Sequence, residues 1–242
     1  MDFSPAPPSP GPIALVGSGE YLEVMAGIEG ALLEGRPPRY VQLATAAVPD
    51  GPNVVAKWHR LGREQADRLG AEQVILHVES RVDANDPAVA ALVAGAGLIY
   101  LSGGHPTFLA DTLRDTLVWS AIVDAWQAGA ALAGCSAGAM AMGTWVPSVR
   151  HPRGGGGVAG LGVVPQLRVI PHFDAFFSKA PEMVSRFLAG GDEGVTVVGV
   201  DETTALVGGP HEWTVQGTSS VWVLTTSAVS YTHLTLPTNR EV

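Results

Sequence analysis

At 242 residues, with 46% hydrophobic and only 15% charged residues, the chain fits one α/β domain with a large, well-covered core. A formal charge of −9 and only two lysines, Lys57 and Lys179, argue against nucleic acid or an anionic membrane as partner. The single cysteine, Cys135, excludes an intrachain disulfide and a thiolate metal site, and it fits a reducing compartment.

The opening MDFSPAPPSPGP has neither the basic nor the apolar stretch of a signal peptide, so residues 1–12 read as a disordered, proline-rich lead-in. No apolar run approaches the ~18 residues of a membrane span, and the expected location is the cytoplasm. Ile13 to Val16 is a first buried strand, ending in the turn Gly17-Ser18-Gly19-Glu20. That turn lacks the third glycine of a dinucleotide fingerprint and reads as strand–helix packing. A helix from Tyr21 to Leu33 follows, with Leu22, Met25, Ile28 and Leu32 on one face. Tyr40 to Thr45 is a second strand, Ala46 to Pro49 a loop, and Val54 to Leu69 a helix stopped by Gly70. Gln73 to Val78 makes a third strand, and Asp86-Pro87 opens a helix running to Ala94.

The fourth strand, Gly97 to Leu101, runs into Ser102-Gly103-Gly104-His105-Pro106-Thr107. Without side chains, the backbone at Gly103 and Gly104 can approach a substrate closely and offer it an N–H. A helix from Thr107 to Ala128, broken near Asp115-Thr116, leads to Gly129.

Ala130 to Gly143, AALAGCSAGAMAMG, is the stretch that the rest serves. Small apolar residues suit a strand buried on both faces. The chain then passes through Gly134-Cys135-Ser136-Ala137-Gly138 into helix-forming residues. A strand feeding a helix through G-x-S-x-G is a nucleophile elbow. Its central Ser136 sits on a sharp turn, so the residues two either side must be tiny, and the N–H of Ala137 faces a developing oxyanion.

Trp145 to Gly162 reads as a loop carrying Arg150, Arg153 and four consecutive glycines, a mobile flap or surface excursion. Strand Leu167 to Ile170 ends in Pro171-His172-Phe173-Asp174, and a helix spans Ala175 to Leu188. Strand Val195 to Val200 ends in Asp201-Glu202-Thr203-Thr204-Ala205-Leu206. Trp213–Val215 and Ser220–Leu224 read as a closing antiparallel hairpin. Strands alternating with helices imply a mostly parallel, doubly wound sheet with helices on both faces and the ligand crevice at the carboxyl ends of the strands. The seven histidines do not fall at ligand spacings, so neither a metal nor a cofactor is expected.

Ser136 within AGCSAGA resembles the nucleophile segment of the S51 serine peptidases, the group that includes dipeptidase E and cyanophycinase. These look like class I glutamine amidotransferases in which serine replaces the nucleophilic cysteine. The likeness runs from about Ile13 to Leu224, which is read as a single hydrolytic domain. It implies that the strand-end glycines, Gly104 or Gly103, supply one oxyanion donor, with Ala137 as the second. It also implies that His172, in a Pro-His-Phe segment like that of dipeptidase E-like proteins, is the general base. Asp201 to Leu206 is similar to segments of cyanophycinase-like members. Relatives often carry Asn, Asp or Gln where this chain has His105, which is read as substrate-facing.

The expected activity is hydrolysis of a small peptide or isopeptide-like amide through an acyl-enzyme on Ser136. The family's loop acid is missing, since no Asp or Glu lies between Ser136 and His172. The orienting carboxylate is therefore sought in Glu202 or Asp174, with Glu202 favoured because a neighbouring strand end points into the same crevice. Only Lys179 and Arg186 follow the histidine where cyanophycinases carry several arginines, which argues against cyanophycin as substrate. Two alternatives stand beside this reading: an amidotransferase-like enzyme using Cys135, and a catalytically inactive protein on the same scaffold. A homodimer stays open. The segment after about Thr225, SAVSYTHLTLPTNREV, has no counterpart in the family and resembles translated adapter read-through. Residues 225–242 are read as a non-native tail.

Overall fold

The computed structural model describes residues 9–147, 156–177, 194–209, 212–224 and 232–234, the last three and 176–177 as backbone. In chain order the elements begin with β1 (Ile13–Val16), a 3-10 turn at Glu23–Met25, α1 (Ala26–Leu33), β2 (Arg39–Leu43) and a 3-10 segment at Thr45–Asp50. α2 (Pro52–Arg68), β3 (Glu72–Ile75), α3 (Arg81–Ala84), α4 (Pro87–Ala91) and β4 (Leu98–Leu101) come next. Then follow α5 (Pro106–Leu113), α6 (Leu117–Gln127), β5 (Ala131–Cys135), α7 (Ala137–Ala141), β6 (Trp145–Pro147) and β7 (Gly157–Ala159). The remainder is β8 (Leu167–Ile170), α8 (Phe173–Phe177), β9 (Thr196–Val200), β10 (Thr204–Gly208), β11 (Trp213–Gly217), β12 (Val221–Leu224) and β13 (Thr232–Leu234).

Seven strands form the main sheet in the order β11-β10-β1-β5-β4-β2-β3. Its core of β1, β5, β4, β2 and β3 is parallel, and β10 and β11 add an antiparallel hairpin at one edge. Alternate residues of each strand enter opposite layers, as the period of two dictates. Ile13, Leu15, Ile99, Leu101 and Leu132 join Leu109, Leu113, Trp119 and Ile122 of α5 and α6 on one face. Ala14, Val16, Tyr40, Tyr100 and Ala133 join Met25 of the 3-10 turn and Ile28, Leu32 and Ala66 of α1 and α2 on the other. Buried on both faces, these strands read as continuous apolar runs.

A second sheet, β13-β12-β9-β8, carries the histidine strand. β8 runs parallel to β9, while β12 is antiparallel to it. Phe173 fastens the end of β8 here, since its ring lies where a side chain at Gly199 would stand, 2.4 Å from that Cβ position. Met140 of α7 shares a cluster with Ile170, Phe173, Val197 and Leu224, which joins the two sheets beneath the site.

The doubly wound fold is as expected, and so is the break in the helix from Thr107, where Asp115 has φ +57° and Thr116 caps α6. Several other elements differ. Trp145–Gly162 is not wholly a loop, because β6 and β7 pair into a small hairpin. The closing hairpin forms between β10 and β11, whereas Val221–Leu224 pairs with β9 instead of with Trp213–Val215. Gly11, within the proline-rich lead-in, is tied to α6. Gly11 N–H donates to the Trp126 carbonyl at 2.9 Å, and Trp126 Nε1–H returns a bond to the Gly11 carbonyl at 2.8 Å. Thr232–Leu234, within the segment read as a non-native tail, pairs as an edge strand with β12, a backbone ladder that needs no side-chain pattern. Arg150, Arg153, Lys179, Arg186 and most of the helix expected over Ala175–Leu188 lie outside the described residues. Among the described residues no helix is long and apolar enough to cross a membrane.

Candidate active site

The site begins with a glycine constraint. A Cβ on Gly134 would lie 2.6 Å from the Gly138 carbonyl carbon, and one on Gly138 would lie 2.3 Å from the Leu101 carbonyl oxygen. Only glycine at both places lets β5 turn into α7 this close to β4. Ser136 is left at the apex with φ +49° and ψ −106°, a sparsely populated region for a residue with a Cβ. Its N–H is held by the Val16 carbonyl at 2.9 Å, which ties the strained turn to β1.

Across from it stands His172, also at positive φ, +50°. Its Nε2 lies 3.0 Å from Ser136 Oγ, and its Nδ1 lies 2.8 Å from Glu202 Oε1. A carboxylate can only accept, so Nδ1 carries the proton and Nε2 presents its lone pair to the Ser136 hydroxyl. The ring and the carboxylate are both partly exposed, at 29% and 47% of their side-chain surface, so the line opens to solvent.

Glu202 is itself set by its turn. Neighbouring Asp201 is buried and accepts Ser219 Oγ–H at 2.7 Å, Ser220 N–H at 3.2 Å and Trp222 Nε1–H at 3.0 Å. Thr203 N–H donates to Ser18 O at 3.2 Å, and Gly17 N–H to Thr204 O at 2.9 Å. The first glycine turn therefore packs against the Glu202 turn. Asp174, the other carboxylate considered as orienter, accepts the Glu202 N–H at 3.1 Å and so holds the backbone of the residue that meets the ring.

The second glycine turn abuts the elbow, since a Cβ on Gly103 would stand 3.5 Å from Ser136 Cβ. The Gly103 N–H, one of the two expected strand-end donors, is committed to Glu20 Oε1 at 3.0 Å. His105 N–H is likewise committed, to the Ala46 carbonyl at 2.7 Å. Among the described residues, the N–H groups of Gly104 and Ala137 have no acceptor. Gly104 has φ +143°, and a Cβ there would lie 2.3 Å from the Ala46 oxygen, so its glycine is obligatory. His105 Nε2 meets Asp50 Oδ1 at 2.6 Å at the edge of the same turn.

Cys135 points away from this chemistry. It is fully buried and donates its S–H to Glu20 Oε2 at 2.8 Å. Burial first, and then the neighbouring Glu20 carboxylate, push the thiol well above its ordinary range. This removes the thiolate that a Cys135-based enzyme would require. Among the described residues, no group of three or more His, Cys, Asp or Glu side chains is arranged to hold a metal ion.

The model of peptidase family S51 matches residues 16–214. The chain belongs to peptidase family S51. The match takes in the elbow, the histidine strand and the Glu202 turn. A crystal structure of a peptidase from an acI-B1 Actinobacterium is 42% identical, with a TM-score of 0.84 over 94% of this S51 chain and 95% of that one. A candidate peptidase E protein from Listeria monocytogenes EGD-e is similar at 17% identity and a TM-score of 0.62, over 87% of this chain and all of that one, a likeness of fold alone. A search of curated proteins finds no match.

Glu20, Asp50 and Asp201 were not singled out from the sequence of this S51 chain. Each directly follows or closes a turn at the carboxyl end of a strand, the edge where such sheets build their sites. That position was the available signal.

Proposed function

We propose that this S51 chain is a serine-type peptidase that cleaves a small peptide or isopeptide-like amide through a Ser136 acyl-enzyme. The observation that carries the reading is the continuous hydrogen-bonded line from Ser136 Oγ through both nitrogens of His172 to Glu202. A serine hydroxyl is a weak nucleophile until a base takes its proton, and the base works only in the correct tautomer.

In the proposed reaction, Ser136 Oγ attacks the scissile carbonyl while its proton passes to His172 Nε2. Glu202 stabilises the imidazolium through Nδ1–H. The tetrahedral oxyanion is received by the N–H groups of Gly104 and Ala137. Collapse breaks the C–N bond, and His172 returns the proton to the leaving amine. A water molecule then repeats the sequence on the acyl-serine, releasing the carboxylic acid and restoring the hydroxyl. His105, braced by Asp50 beside the oxyanion turn, faces the substrate and contributes to its selection.

The test is labelling with a fluorophosphonate followed by peptide mapping. The expected result is one phosphonylated peptide containing Ser136 and no labelling of Ser136→Ala. Well-folded wild-type protein that stays unlabelled and leaves a dipeptide panel uncleaved would overturn the proposal.

A further inference from the structure

Glu20 closes the first glycine turn, at the carboxyl end of β1, and is 8% exposed. Its two carboxylate oxygens go to two different strand ends. Oε1 accepts Gly103 N–H, just past β4, and Oε2 accepts Cys135 S–H, the last residue of β5 before the nucleophile. Since β1 lies beside β5 and β5 beside β4, one side chain straps three consecutive strand ends together. A Cβ at residue 103 would stand 2.6 Å from Glu20 Oε1, so any larger residue there would push the carboxylate off the turn.

The bond pattern in the turn gives this strap a consequence. Of the three successive N–H groups at residues 103, 104 and 105, the first is tied to Glu20 and the third to the Ala46 carbonyl. The middle one, on Gly104, has no acceptor among the described residues. Fixing both neighbours fixes the plane of the peptide between them. That leaves one uncommitted donor in the turn that abuts Ser136, at no reorganisation cost when charge develops.

We propose that Glu20 is a positioning residue for the oxyanion site: it holds the Gly103–Gly104 turn in register with the nucleophile strand so that Gly104 N–H is presented to the reacting carbonyl. The inference rests on the serine-peptidase reading above. Glu20 touches neither the substrate nor His172 in this role, and it acts through Gly103 and Cys135. Its removal lowers the rate of the chemical step and leaves both substrate affinity and the titration of the base in place.

The experiment compares wild type, Glu20→Ala and Glu20→Gln. It measures fluorophosphonate labelling rate, kcat and KM on a cleaved dipeptide, and the pH profile of kcat/KM, all well below each variant's melting temperature. A misplaced donor costs about 10- to 100-fold. Glu20→Ala is expected to lose that much in kcat and labelling rate, with KM within about threefold of wild type and an unshifted pH midpoint. Glu20→Gln keeps an acceptor for Gly103 N–H and is expected to recover most of the loss. If Glu20→Ala does not fold, a Glu20→Gln variant within about threefold of wild-type kcat, and with the wild-type pH midpoint, supports the strap. Glu20→Ala labelling at the wild-type rate, a loss confined to KM, or a moved pH midpoint in either variant would overturn it. Wild-type protein that does not label at all would instead bring down the serine-peptidase reading.

Discussion

Ser136 and His172 meet at 3.0 Å with both backbones at φ near +50°, a conformation that costs a non-glycine residue about 1–3 kcal/mol. The two strained turns lie 36 residues apart and on different sheets, so neither can relax without breaking the contact. Their neighbours carry the strain: Val16 holds the Ser136 N–H, and the buried Phe173 ring anchors the residue after His172.

That relationship predicts opposed effects on stability and activity. Ser136→Gly is expected to stabilise the fold by roughly 1 kcal/mol, because glycine adopts the turn without a Cβ clash, while peptide turnover falls by about 10⁴-fold or more. Urea denaturation and a dipeptide hydrolysis assay read the two. A destabilised Ser136→Gly would mean that the elbow is not strained.

Glu202 and Asp174 separate by their partners. Glu202→Gln keeps the shape but offers His172 an amide that favours the wrong tautomer, and kcat is expected to drop by about 10²- to 10⁴-fold. Asp174→Asn retains an oxygen for the Glu202 N–H and is expected to lose less than about tenfold. Steady-state kinetics on both variants decides the assignment, and a larger loss in Asp174→Asn would reverse it.

Cys135 predicts a negative result of diagnostic value. Buried and bonded to Glu20, with its thiol pushed up, it is expected to resist iodoacetamide at pH 8 in native protein and to react fully in urea. Mass spectrometry counts the alkylated fraction. Rapid native alkylation with loss of activity would revive a cysteine-based reaction.

Glu29 predicts how stability follows pH. It is buried in the layer opposite α5 and α6, accepts Tyr40 O–H at 2.8 Å through Oε2, and has no partner for Oε1 among the described residues. Burial pushes its carboxyl up to about 7 against the opposing pull of the Tyr40 bond. A raised acid is protonated in the folded state while its unfolded counterpart is ionised. Its contribution to stability is therefore complete below about pH 4.5 and is lost as pH rises through about 7. Glu29→Gln keeps the acceptor and removes the titration. It is expected to be more stable than wild type at pH 8, by up to about 3 kcal/mol, and to show a flatter profile between pH 4.5 and 7. Thermal melts across that range test the sign.

Much of this protein was legible along the chain. The apolar runs at Ile13, Leu98 and Ala131 are short and unalternating, as a strand covered on both faces must be, so the doubly wound sheet follows from them. The elbow is equally local. Strand, two tiny flanking residues, serine and helix lie within one stretch, and steric limits allow them one arrangement. Where the elements paired less locally, the sequence ran out. Val221–Leu224 and Trp213–Gly217 look alike as strands, but they pair in different sheets because pairing is settled by which edge is open, and no residue advertises that.

The sequence by itself determined the scaffold, the serine at its turn and the histidine at a strand end, because each is fixed by neighbours a few residues away. Tertiary structure alone decided which carboxylate meets the ring and which N–H groups stay uncommitted. It also decided that Cys135 turns inward to Glu20, 115 residues earlier in the chain. These are questions of direction, and a side chain's direction is set by the strand ends packed around it in space, which the linear order does not record.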